Sequence, residues 1–70
     1  MTASTIAVTI NGEAHEVPPG SVAGLLENLG LPVQKIAVER NLEIVPRSAY
    51  GDTLVEAGDA YEIVQFVGGG

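Results

Sequence analysis

Residues 61–70 read Tyr-Glu-Ile-Val-Gln-Phe-Val-Gly-Gly-Gly. The first seven form a β-type run that is apolar on both faces, with Tyr61 and Ile63 on one side and Val64 and Phe66 on the other. A strand apolar on both faces belongs in the middle of its sheet. Residues 61–67 are therefore expected to be the strand that the others flank. Three glycines follow. Without a Cβ they gain nothing from a core and lose the most entropy on being ordered. Two readings of 68–70 stand side by side. One is an ordinary frayed end. The other is a thin, flexible arm that threads a narrow channel and presents a single group, the carboxylate of Gly70.

Working back from that strand, residues 5–10 alternate, with Ile6, Val8 and Ile10 on one face and Thr5, Ala7 and Thr9 on the other. This is a half-buried strand. Asn11-Gly12 is a strong two-residue hairpin signal, because both positions require positive φ. Residues 13–17 return as the second strand, which sets Val17 against Ile6 and places His15 opposite Val8 on the core side. His15 is the sole histidine. With no cluster at ligand spacing around it, it reads as a packed strand residue, not a metal ligand or base. Pro18-Pro19-Gly20 turns the chain, and Ser21 suits a helix N-cap. Val22, Leu25, Leu26 and Leu29 then repeat at helical period over 22–29. Gly30, Leu31 and Pro32 end that helix in the manner of a Schellman motif. Gly24 costs helix propensity and suggests a close helix–sheet approach.

Residues 36–40 are expected as a third strand and 42–45 as a short fourth. Between them Asn41 alone is expected to be left-handed, in a longer loop, because Leu42 resists positive φ. Pro46 suits an edge or strand end. Residues 47–52 read as loop. Thr53 and Glu56 have capping-box spacing, which predicts one helical turn there.

Seventy residues make one small domain, divided into a folded unit over 1–67 and a glycine tail over 68–70. With no cysteine, disulfides and thiolate metal sites are excluded, and any sulfur chemistry must use sulfur from outside. No apolar run approaches membrane-spanning length and no basic signal start is present, so a cytoplasmic protein is expected, with no membrane partner. Nine acids against three bases give a net charge of -6. Such a chain repels phosphate backbones, so no nucleic-acid partner is expected, and a basic protein surface fits better. The same acids also suit a merely solvated surface.

Hairpin, helix, two short strands, a turn and a long last strand give an α+β architecture. A mixed four- to five-stranded sheet is covered on one face by one short helix, with the last strand central and parallel to the first. This is the β-grasp, or ubiquitin-like, arrangement. It leaves the second sheet face to be covered by loops or to stay open. If open, Val64 and Phe66 form a contact surface, with Glu39, Glu43, Asp59 and Glu62 as a charged rim.

The segments Val38-Glu39-Arg40-Asn41, Ile44-Val45-Pro46-Arg47-Ser48, Gly58-Asp59, Glu62-Ile63-Val64 and Phe66-Val67-Gly68-Gly69-Gly70 resemble the sulfur-carrier proteins. Within that group they are most similar to the ThiS family of thiazole formation in thiamin biosynthesis. The resemblance covers nearly the whole chain, and the third glycine is its one departure. It implies that a ThiF-type adenylyltransferase joins the Gly70 carboxylate to the α-phosphate of MgATP. Sulfur then replaces AMP, and the resulting thiocarboxylate passes its sulfur to a ThiG-type thiazole synthase. On that reading the chain is a monomer and a protein co-substrate, not an enzyme. It has no catalytic side chain, metal or bound cofactor, and the ATP is used by the partner. The same fold and tail resemble the small subunit of molybdopterin synthase, although those proteins are longer and often place Pro and Ala before Gly-Gly. A ubiquitin-like modifier or a plain interaction module is the reading from other classes.

Overall fold

The computed structural model describes residues 4–66. Residues 67–70, which include the expected tail Gly68, Gly69 and Gly70, lie outside the described residues. The elements are β1 (Ile6–Ile10), β2 (Glu13–Val17), α1 (Val22–Leu29), β3 (Ile36–Arg40), β4 (Glu43–Val45) and β5 (Ala60–Gln65), with 3₁₀ turns at Val33–Lys35 and Arg47–Ala49. The sheet order is β2-β1-β5-β3-β4, with β5 parallel to β1 and antiparallel to β3. The expected last strand is thus central, and the architecture is the α+β β-grasp. No described helix is long and apolar enough to cross a membrane.

The first hairpin follows its local code. Asn11 (φ 52) and Gly12 (φ 83) form the turn, which pairs Ile6 with Val17 and Val8 with His15. His15 is half-buried at the rim, with Nε2 3.8 Å from a Glu13 carboxylate oxygen. In α1 the Ser21 hydroxyl accepts from the Gly24 N–H at 3.1 Å. At the other end, Gly30 (φ 72) donates to Glu27 O and Leu31 donates to Leu26 O, the two bonds of a Schellman motif. Val22, Leu25 and Leu26 are buried in one cluster with Val8, Ile10, Val17, Ile36, Val38, Tyr61 and Ile63. Each such aliphatic side chain contributes roughly 1.5–3 kcal/mol by leaving water. Gly24 does not serve helix–sheet approach: it is exposed, and an added Cβ would meet only the Ser21 hydroxyl at 3.7 Å.

Two local expectations are overturned by long-range hydrogen bonds. Residues 53–56 are not helical. Leu54 bridges Ser21, Val55 N–H donates to Gly20 O at 2.8 Å, and the Thr53 and Tyr50 carbonyls accept from the Val22 and Ala23 N–H groups. The segment is committed to closing the start of α1, where free N–H groups need acceptors. The Thr53 hydroxyl donates backwards to Ala49 O instead of capping a turn.

The β3–β4 loop is also tighter than expected. Arg40 opposes Glu43 directly, and Asn41 (φ 52) and Leu42 (φ 72) are both left-handed. The strand accordingly begins at Glu43, not Leu42. Asn41 explains the outcome. Its N–H donates to Ala60 O, its Oδ1 accepts from Ala60 N–H, and its Nδ2 donates to Asp59. These three bonds pin the turn to the start of β5 and outweigh the strain at Leu42. That strain costs about 1 kcal/mol for a residue with a Cβ. Leu42 is 88% exposed and packs little in return. Leu42→Gly is therefore expected to stabilise the fold by up to about 1 kcal/mol, raising the melting temperature by roughly 4–8 °C per kcal/mol. Thermal unfolding followed by circular dichroism checks this, and a lower melting temperature would contradict the strain at Leu42.

Candidate functional site

The helix covers only one face of the sheet. Alternation along the paired strands puts Tyr61 and Ile63 under α1, and Glu62 and Val64 on the opposite face. Val64 is 59% exposed and Phe66 50%, so no described loop closes over them. Across from β5, Ala37 pairs with Val64, and Glu39 pairs with Glu62. Ile44, opposite Glu39 and also exposed, extends the apolar ground toward the sheet edge. The open face is therefore an apolar strip beside two carboxylates set directly opposite each other. Like charges across a strand pair oppose folding, and no described ion pair relieves either one. Glu43 does not belong to this rim either: it is exposed on β4, but alternation puts it on the face of the buried Val45, opposite Arg40, and not on the face of Ile44, Glu39 and Glu62.

Asp59 does not belong to this rim. It is only 5% exposed and is the centre of a hydrogen-bond network. One oxygen accepts from Arg40 Nε (2.8 Å), Glu56 N–H (2.9 Å) and the Tyr61 hydroxyl (2.9 Å), and the other accepts from Asn41 Nδ2 (3.1 Å). The charge is stabilised where it is buried, so Asp59 is a structural residue and not part of the expected exposed rim. Burial alone would raise its pKa. The bonds from Arg40, Glu56, Asn41 and Tyr61 outweigh burial and hold it at about 2. Burial and the Asp59 charge push the Tyr61 phenol up to about 12. The hydrogen bond to Asp59 raises the Arg40 guanidinium above its ordinary value. Sequence reading missed this network because its members are brought together only by the sheet; Arg40 and Asp59 are far apart in the chain.

A second feature was also missed. The Asn11 side chain donates to Ile63 O at 3.1 Å and accepts from Ile63 N–H at 2.8 Å. It thereby fixes the strand from which Phe66 emerges. Asn11 signals a turn in the sequence, but nothing local signals this second role. Among the described residues no group of three His, Cys, Asp or Glu side chains could hold a metal ion. The expected site residue Gly70 and the tail residues Gly68 and Gly69 lie outside the described residues.

The network has a pH signature. The folded-state pKa of Asp59 lies below its unfolded value of 3.8. The stability gained from its ionised form, roughly 2 kcal/mol, is therefore complete above about pH 4 and lost as pH falls toward 2. In urea titrations at a series of pH values, Asp59→Asn is expected to be less stable at neutral pH and to flatten the fall between pH 4 and 2. An unchanged acid limb would rule out this carboxylate as its source.

Comparison with known proteins bears on the fold and the family. The model of the ThiS family matches residues 8–70. The structure superposes on the thiamine biosynthesis protein (ThiS) of Geobacter metallireducens with a TM-score of 0.80 and 35% identity, covering 93% of this chain and 100% of that one. A thiazole synthase of Paramagnetospirillum magneticum is 50% identical over 64 residues, 90% of this chain but 20% of that protein, so the chain spans about a fifth of the length of that curated relative. An uncharacterized protein of Porphyra purpurea, ycf40, is 35% identical over 66 residues, 93% of each chain. By the match over residues 8–70 and the shared fold, the chain belongs to the ThiS family.

Proposed function

We propose that the chain is a sulfur carrier in thiamine biosynthesis, working through the Gly70 carboxylate. The observation that carries the proposal is the ThiS family match over residues 8–70. The segment of a thiazole synthase that is 50% identical to this chain supports it. A carboxylate is a poor acylating agent. Attack of a Gly70 oxygen on the α-phosphate of MgATP, with pyrophosphate leaving, makes an acyl-adenylate whose carbonyl can be attacked. A sulfur nucleophile then displaces AMP. Where the donor is a persulfide, cleavage of its S–S bond by a second thiol leaves the thiocarboxylate. That nucleophile is carried to a ThiG-type thiazole synthase. The groups that bind ATP and stabilise developing charge belong to the ThiF-type adenylyltransferase. The chain itself is a monomeric co-substrate and not an enzyme.

The open face suits the encounter. Val64 and Phe66 supply apolar area close to the tail. The opposed Glu39 and Glu62 carboxylates call for a basic group on the partner, which would relieve their repulsion.

The test is intact-protein mass spectrometry after incubation with the adenylyltransferase, MgATP and sulfide. The full chain is expected to gain the mass difference between sulfur and oxygen. The chain lacking Gly69 and Gly70 is expected to fold and gain nothing, and conversion of that truncated chain would sink the proposal. Phe66→Ala is expected to weaken binding to the adenylyltransferase by about 1–3 kcal/mol and to leave the melting temperature nearly unchanged. A large loss of folding stability with binding intact would instead make Phe66 a core residue.

A further inference from the structure

Strand β5 outruns its parallel neighbour. β1 pairs with it only at Thr9 and Ile10, opposite Ala60 and Tyr61, and then turns back at Asn11-Gly12. One step on, the Asn11 side chain takes the place of a strand, giving Ile63 an acceptor and a donor. A side-chain amide has the same donor–acceptor pair as a peptide group, but it serves one residue only. The next groups on that flank belong to Gln65. Phe66 N–H donates to Lys35 O, and Asn41 N–H donates to Ala60 O. Even-numbered residues of β5 thus bond to β3, and odd-numbered residues face the other way. Among the described residues the β1 pairing ends at Tyr61, the Asn11 side chain serves Ile63, and no hydrogen bond reaches the Gln65 N–H or C=O on that side. They open onto a groove of about 290 Å³ lined by Ile10, Asn11, Leu29, Leu31, Ile63 and Gln65.

We propose that this groove is an edge-strand docking site for an extended segment of the protein that acts on the Gly70 carboxylate. The segment's main chain pairs with Gln65, and an apolar side chain enters beside Leu29 and Leu31. The inference rests on the sulfur-carrier reading. Two observations select the occupant. A free donor–acceptor edge over an apolar groove recognises peptide backbone, in the manner of strand addition. Gly70 is also only four residues beyond Phe66, at most ~14 Å of extended chain, so a protein holding Gly70 overlies the end of β5. Asn11 then has a positioning role: it ends the intramolecular pairing one residue short and leaves the edge available.

The test separates backbone from side chain. Gln65→Pro removes the edge N–H without removing a β3 ladder bond, at a flank where proline is tolerated. Gln65→Ala keeps the N–H and removes the side chain. Binding to the adenylyltransferase is expected to be near wild type for Gln65→Ala and at least tenfold weaker for Gln65→Pro. Equal binding by Gln65→Pro overturns the proposal. Amide hydrogen exchange on the wild-type chain decides the matter even if Gln65→Pro unfolds. The Gln65 amide is expected to gain protection in the complex, and an unchanged exchange rate overturns the docking edge. If the wild type binds and protects Gln65 but forms no thiocarboxylate, the sulfur-carrier reading falls and the edge stands. If the wild type does not bind, both fall.

Discussion

The buried carboxylate of Asp59 receives hydrogen bonds from β3, from the β3–β4 turn, from β5 and from the loop that precedes β5. A buried charge is tolerable only when it is paired and fully hydrogen-bonded. The four donors therefore keep their places together: displacing one leaves the charge short of a partner. Arg40 fixes the end of β3, Asn41 fixes the tight turn, and Tyr61 fixes the start of β5. The strain at Leu42 and the register of β5 both depend on this arrangement. The charge is thus compensated wholly inside the domain.

The parts of the fold that were legible in the sequence are those written locally. The spacing of Val22, Leu25, Leu26 and Leu29 gave α1 its bounds, Asn11-Gly12 gave the first hairpin its register, and the two-sided apolarity of 61–66 placed β5 at the centre. The illegible parts are those in which distant residues overrule local preference. Thr53 and Glu56 have the spacing of a helix start, but Val55 and Thr53 are taken up by Gly20 and Val22. Leu42 prefers negative φ, yet Asn41 is held by Asp59 and Ala60. Asp59 looked like a surface acid because nothing near it in sequence announces Arg40. That Val64 and Phe66 share the face away from α1 could be read from alternation; that no described loop covers them could not. The Asn11–Ile63 clamp could not.

A one-sided sheet divides labour between its faces. The helix side supplies nearly all of the buried apolar area, with Leu26, Val22, Val38 and Tyr61 almost wholly enclosed. The open side holds small or polar groups such as Ala7, Thr9, Ala37, Glu39 and Glu62, together with the exposed Val64 and Phe66. Substitutions on the open side therefore remove little buried area from the fold. The two edges of β5 divide in a similar way, with β3 taking one and β1, Asn11 and the groove sharing the other.

The central position of β5 also bears on how the domain comes into being. Each hairpin, β1–β2 and β3–β4, closes from residues near one another in the chain, but they touch in the sheet only through β5. β5 is the last of these elements to be synthesised. A nascent chain that has not yet released it has two ribbons not joined in one sheet and a core that lacks Tyr61 and Ile63. Pairing of β1 with β5 spans about fifty residues of sequence, and such non-local closures come late and slowly in folding. A chain interrupted before β5 thus lacks both the strand that joins its two hairpins and the residue Phe66 that follows it.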